Sequence, residues 1–157
     1  MSDAWRRVSR SEAETEAVGR SLAVGLRRGD LLALRGELGA GKTCLVRGIA
    51  AGLGVDPLQV RSPTFVLHHV YATGRLALHH VDCYRLGAGA ELNVLDLDAL
   101  LEDGAVAVEW SELADLSRLW PVVIDIDSSH PGSRVMTMDA GAPQRLADAF
   151  MSVTAQT

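Results

Sequence analysis

Cysteine, aromatic residues and lysine are all scarce in this chain of 157 residues. Two cysteines, Cys44 and Cys83, cannot build a disulfide framework, so a reducing compartment is the default. Aromatics make up 4% of the residues, against 48% hydrophobic overall, so the core must be built mainly from Ala, Leu and Val. No excess of basic residues exists: the net charge is −5, which argues against a broad nucleic-acid-gripping face. No apolar run approaches the length of a membrane span. The segment from Met1 to Ser11 has arginines but no apolar stretch of the kind a secretory signal carries. These absences predict a cytoplasmic protein with one compact domain over residues 1–157, its tail frayed after about residue 151.

Helix and strand patterns alternate through the front half. Ser11 followed by Glu14 has the spacing of a capping box, and Val18, Leu22 and Leu26 continue it as a helix to about Arg28. Leu31–Leu34 is a short apolar run suited to a buried strand. A helix over Cys44–Ala51 follows, stopped near Gly52 or Gly54. Phe65–Tyr71 and Leu76–Val81 have strand character, with Ala72–Arg75 as the turn between them. Gly87–Ala90 is a flexible link, Glu91–Leu101 an amphipathic helix, and Ala105–Val108 a second buried strand. Ser111–Trp120 is a further expected helix, Val122–Ile126 and Val135–Met138 are strands, and Pro143–Met151 is a closing helix. The pattern predicts an α/β, three-layer fold of the P-loop NTPase kind, with a mainly parallel central sheet and an antiparallel hairpin.

Between the first apolar strand and the next helix lies Gly36-Glu37-Leu38-Gly39-Ala40-Gly41-Lys42-Thr43, which fits G-x-x-x-x-G-K-[ST]. Glycines let the backbone turn tightly and aim its N–H groups at an anion, helped by the helix N-terminus that follows. Lys42 adds a compact charge for the β- and γ-phosphates, and the Thr43 hydroxyl is suited to Mg2+. Four fixed positions arise by chance in roughly 1% of chains of this length or fewer. Lys42 is also the only lysine; every other cation is Arg. A compact ammonium is not replaceable by a guanidinium inside such a loop. Glu37, Leu38, Gly39, Ala40, Gly41, Lys42, Thr43 and Cys44 are therefore the core of a nucleotide site.

A phosphate loop needs an acid on a neighbouring strand. Glu109 closes the strand Ala105–Val108 and is the stronger metal candidate; Asp82 closes Leu76–Val81 and is suited to orienting water. Ser62 and Thr64 flank Pro63, and two hydroxyls around a rigid proline suit a γ-phosphate sensor, though an ordinary turn fits equally well. His68, His69, His79 and His80 fall on two paired strands near Cys83, but their spacing matches no familiar zinc pattern.

In order and spacing, the P-loop, Val60-Arg61-Ser62-Pro63-Thr64-Phe65, His80-Val81-Asp82-Cys83-Tyr84-Arg85-Leu86 and Val108-Glu109-Trp110-Ser111-Glu112 resemble the TsaE family of bacterial tRNA threonylcarbamoyladenosine biosynthesis. The similarity runs from about Ser11 to Met138. It implies a P-loop ATPase with ATP and Mg2+ as ligands and Thr43 and Glu109 at the metal. Lys42, Asp82 and Glu109 are then catalytic, Ser62-Pro63-Thr64 is switch-like, and Trp110 lies beside the nucleotide. It places adenine near Ser11, Glu12 and the stretch from Gly132 to Arg134. It also implies two partners, TsaD and TsaB, the first transferring the threonylcarbamoyl group to an adenosine next to the tRNA anticodon. This chain would then meet tRNA only indirectly, in keeping with its acidic charge. Departures from the family pattern are Glu37, Cys44, Cys83, Ser111 in place of a proline, and the lack of a glycine near Asp96.

The main alternative is a P-loop small-molecule kinase, which needs an acceptor pocket and usually an arginine lid; no clear lid segment is visible, though Arg75 and Arg85 are arguable. A nucleotide-dependent scaffold with negligible hydrolysis carries the same motif. A GTPase is excluded in its usual form, because an Asn-Lys-x-Asp guanine motif needs a second lysine.

Overall fold

A computed structural model describes residues 4–63, 67–86 and 95–152. Among the described residues seven strands form one sheet in the order β1-β7-β6-β2-β5-β4-β3. They are β1 Trp5–Ser9, β2 Leu31–Arg35, β3 His68–Tyr71, β4 Leu78–Asp82, β5 Ala105–Glu109, β6 Val122–Asp127 and β7 Arg134–Met138. The centre is parallel, through β6–β2, β2–β5 and β5–β4. Antiparallel pairs close both flanks: β3 on β4 at one edge, β7 and β1 beyond β6 at the other.

Strand alternation sorts the apolar residues onto two faces. Leu32 and Leu34 of β2, Ala105 and Ala107 of β5 and Ile124 of β6 face helices α1 (Glu12–Gly25), α2 (Lys42–Gly52) and α4 (Gln144–Met151). Leu31, Ala33, Val106 and Val108 face the other way, toward α3 (Leu97–Asp103) and two short 3-10 turns. The fold is thus the expected three-layer α/β arrangement of P-loop NTPases, with one broad helical face and one thin one. α1 and α2 pack closely because Gly48 lies against the Glu16 carbonyl; a Cβ there would sit 2.1 Å from that oxygen. Residues Leu22, Leu45, Ile49, Leu146 and Phe150 fill the broad face and are fully buried.

Several boundaries differ from the sequence expectation. Ser11 caps α1 by accepting from Glu14 N at 3.0 Å, but Glu14 accepts from the amide of Arg10, one residue before the cap. The helix ends at Gly25, because Leu26 turns to extended backbone to enter the buried core. β1 was not foreseen. Its arginines hide the strand pattern: Arg7 reaches across to the Phe150 and Ser152 carbonyls at 2.9 and 2.7 Å and closes the end of α4.

The expected helix over Ser111–Trp120 is instead two 3-10 turns, Ser111–Leu113 and Ser117–Leu119. Asp115 accepts from the Ser117 amide and hydroxyl, a local bond that competes with helix continuation. Asp96 caps α3 by accepting from Ala99 N at 3.1 Å. The link Gly87–Ala90, the start of the Glu91–Leu101 segment and the tail from residue 153 lie outside the described residues.

Candidate functional site

The loop from Gly36 to Thr43 joins the end of β2 to the first turn of α2. Gly39 and Gly41 have φ of 79° and 115°, values that residues with a Cβ rarely adopt. Lys42 is 4% exposed. Its ammonium donates to the carbonyls of Gly36 and Glu37 and lies 3.9 Å from the centroid of the Trp110 ring. Burial lowers its pKa from the ordinary lysine value, opposed by the carboxylates of Glu109, Glu112, Asp82 and Glu37. Arg134 braces the loop from β7, donating through Nε to the Ala40 carbonyl at 3.0 Å and through Nη2 to Gly39 at 3.4 Å.

Both acids stand beside the loop because of strand register. Asp82 and Glu109 are direct partners at the C-terminal ends of β4 and β5, and both are buried. The Thr43 hydroxyl lies 2.8 and 3.0 Å from the two oxygens of Glu109. Adjacent oxygens on an octahedral Mg2+ with bonds of 2.0–2.1 Å are about 2.9 Å apart. Two hard oxygen groups at that spacing, beside a phosphate loop, fit Mg2+ by donor type and by distance. Asp82 accepts from Ser62 Oγ at 2.9 Å and from the Tyr84 amide at 2.8 Å, so the segment before Pro63 is tied to it. Thr64 lies outside the described residues.

Trp110, next after Glu109, has φ of 55° and packs its ring 5.0 Å from Tyr84. A non-glycine residue in this conformation stores strain of about 1–3 kcal/mol, typical of a site that must aim a side chain. Ser111 donates its hydroxyl to the Leu34 carbonyl at 3.0 Å and so ties this turn to the end of β2.

A cavity of about 220 Å³ opens on the α1 side of the loop. Ser11, Glu12, Cys44 and Arg134 line it together with Gly39, Ala40 and Gly41, so residues far apart in sequence converge there. Ser9, Arg10 and Thr15 also line it and were missed. Thr15 lies one helical turn from Ser11, which was the available signal; Ser9 bonds it at 2.7 Å. A second cavity, about 430 Å³, flanks the loop on the Trp110 side between Arg35, Glu37, Glu112, Asp125 and Asp127. Burial raises the Cys44 thiol to about 11 and the Cys83 thiol to about 12, consistent with packed rather than reactive cysteines.

The histidines of β4 divide between the two faces of the sheet. His79 bonds His68 at 2.9 Å and Asp103 at 2.7 Å on the thin face, while His80 bonds Glu109 and Tyr71 on the broad one. Among the described residues no cluster of three or more His, Cys, Asp or Glu side chains is placed to hold a metal ion. Arg75 is no phosphate lid: its guanidinium donates to the carbonyls of Ala23 and Leu26 near the far end of α1. No helix among the described residues is long and apolar enough to cross a membrane.

Comparison with known proteins gives one family. The family model described as threonylcarbamoyl adenosine biosynthesis protein TsaE matches residues 9–136. A Treponema pallidum protein of that name is 36% identical over 135 residues, covering 85% of this chain and 98% of its own. A Mycobacterium tuberculosis counterpart is 41% identical over 141 residues, 82% of each. One from Streptomyces coelicolor is 52% identical over 98 residues, 60% of this chain and 66% of its own length. The crystal structure of Bacillus subtilis YdiB superposes with a TM-score of 0.74 at 29% identity, covering 96% of this chain and 95% of that one.

Proposed function

This chain belongs to the TsaE family, and from that premise we propose that it binds ATP with Mg2+ at the loop Gly36–Thr43. Hydrolysis of that ATP, on this reading, enables TsaD- and TsaB-like partners to transfer threonylcarbamoyl to an adenosine beside the tRNA anticodon. The observation that carries the reading is the Thr43–Glu109 pair, 2.8–3.0 Å apart, beside the buried Lys42. A chance glycine loop has no reason to bring a hydroxyl and a buried carboxylate together at the mouth of an anion cradle.

Each residue then has a task. Loop amides cradle the phosphates. Lys42 exchanges its two backbone carbonyls for β- and γ-phosphate oxygens, and Trp110 flanks that exchange. Thr43 and Glu109 hold the metal, which when bound offsets charge on the phosphates. Asp82, buried one strand from Glu109, orients the attacking water. Ser62 and Thr64 report whether a γ-phosphate is present, through the bond from Ser62 to Asp82. Adenine sits against Ser11, Glu12, Cys44 and Arg134 in the smaller cavity. The net charge of −5 suits a cytoplasmic subunit that leaves tRNA to its partners.

Calorimetry of Mg2+-ATP binding is the first test, followed by formation of modified adenosine with partner proteins and tRNA. Lys42→Ala should weaken nucleotide binding roughly 100-fold or more, since it removes charge-assisted bonds to phosphate. Sustained modification should require ATP and fail with a non-hydrolysable analogue. A phosphorylated metabolite formed in step with ATP consumption would replace this reading with a kinase.

A further inference from the structure

His80 has no task in the chemistry above, yet it is fully enclosed beside the site, 0% exposed. Its Nε2 bonds Glu109 Oε2, on the same carboxylate that Thr43 meets. Its Nδ1 lies 3.1 Å from the Tyr71 hydroxyl. That hydroxyl in turn lies 3.4 Å from the Arg61 amide nitrogen and 3.3 Å from the Arg61 carbonyl. A string of bonds therefore runs from the backbone just before Ser62-Pro63, through a phenol and an imidazole, to the carboxylate.

Its direction follows from donor and acceptor inventories. An ionised carboxylate only accepts, so Nε2 carries a proton. In the neutral ring Nδ1 then accepts from the Tyr71 hydroxyl, whose oxygen accepts from the Arg61 N–H. The surroundings make this costly to place by accident. Tyr71 and His80 sit on the broad face among Leu78, Ala105 and Ala107, where apolar side chains would fill the volume with no polar groups to satisfy. The same short segment is tied a second time, through Ser62 to Asp82. Arg61 and Ser62 thus reach both acids, each by its own route.

Resting on the reading of Glu109 as a holder of Mg2+, we propose that His80 is a positioning residue which, with Tyr71, aims the Glu109 carboxylate and couples it to the Arg61–Pro63 segment. A glutamate has three side-chain torsions to fix. Thr43 holds the carboxylate from α2, and His80 supplies the second, independent restraint from β4. Residues that orient a metal-holding group typically alter metal affinity 10- to 100-fold when removed.

Calorimetry of nucleotide binding, with Mg2+ varied from none to saturating, separates this from a structural role. Tyr71→Phe deletes one hydroxyl and keeps the ring. It should raise the Mg2+ concentration at half effect several-fold, leaving Mg2+-free nucleotide affinity as in the parent. His80→Leu should raise it roughly 10- to 100-fold, and His80→Gln, which keeps a donor toward Glu109, should recover most of that. Variants that need no more Mg2+ than the parent overturn the proposal alone. So do variants that lose Mg2+-free and Mg2+-dependent binding alike, and if His80→Leu does not fold, Tyr71→Phe decides. A parent whose nucleotide binding ignores Mg2+ overturns the reading of the site, and the proposal with it.

Discussion

His79 and His80 are neighbours on β4, equally buried within a few per cent, and they face opposite ways. His80 turns to the broad face, where Glu109, its partner, is 3% exposed and also meets Thr43. His79 turns to the thin face, where its partner Asp103 is 61% exposed and its other contact is a second histidine, His68. The first chain of bonds ends at a buried carboxylate; the second ends at an exposed one. Residue type alone therefore says little about a histidine. The cover over each face decides: among the described residues three helices enclose the polar groups of the broad face, whereas one short helix and two turns cover the thin face.

The sharpest way to break that contrast is to remove one acid from each face. Glu109→Gln should lower Mg2+-dependent hydrolysis roughly 10²–10³-fold, the several kcal/mol that holding a divalent cation is worth, with Mg2+-free nucleotide binding nearly intact. Asp103→Asn should change neither. A loss of hydrolysis in Asp103→Asn equal to that in Glu109→Gln would tie the thin face to the chemistry.

Packing should divide the same way. Phe150 of α4 is fully buried against the broad face, so Phe150→Ala should cost about 3–5 kcal/mol in urea unfolding. Leu101 of α3 is only partly buried on the thin face, so Leu101→Ala should cost about 1–2 kcal/mol. Equal losses would mean that α3 is as integral to the core as α4.

Thiol chemistry gives a smaller, finer reading, since each face holds one cysteine. Cys44, raised to about 11, lines the smaller cavity; Cys83, raised to about 12, is fully enclosed on the thin face. Each pKa unit removes a factor of ten in thiolate at a fixed pH near 8. Alkylation of Cys44 should be faster than that of Cys83, and ATP should slow it while leaving Cys83 unchanged. Faster reaction at Cys83 would show that the thin face opens before the broad one.

The glycine-rich loop between β2 and α2 was legible because its motif is local. Eight consecutive residues carry it, and the only lysine of the chain marks it. Both acids were legible as polar ends of apolar strands, but their adjacency was not. Asp82 and Glu109 meet through parallel register between strands 27 residues apart in sequence, which no spacing rule shows. His80 and Tyr71 were passed over for a related reason. Their meaning lies in a cross-strand chain of bonds, and read singly a histidine on a strand is bland. β1 was invisible because two of its five residues, Arg6 and Arg7, are charged and break the apolar alternation. The Ser111–Trp120 segment was overcalled because apolar spacing outweighed local serine and aspartate bonds that end the helix early.

The smallest expected effect concerns protons on the thin face. His68 donates to, or accepts from, His79 at 2.9 Å and stacks on it with ring centroids 5.1 Å apart. Since His79 also bonds the Asp103 carboxylate, which only accepts, Nε2 of His79 carries a proton and its Nδ1 accepts from His68 in the neutral pair. Burial lowers the pKa of His68, and the charges of His79, His69 and His80 push it the same way. Below the ordinary value of 6.5 the unfolded chain therefore binds a proton that the folded chain refuses. Stability linked to His68 is complete above pH 6.5 and falls as the pH drops through 6.5 toward its lowered folded value. His68→Gln keeps a donor for His79 but cannot titrate, so the urea midpoint should fall less steeply between pH 7 and pH 5 than in the parent. An unchanged slope would take His68 out of the linkage, and the thin face would then differ from the broad one in exposure but not in its response to acid.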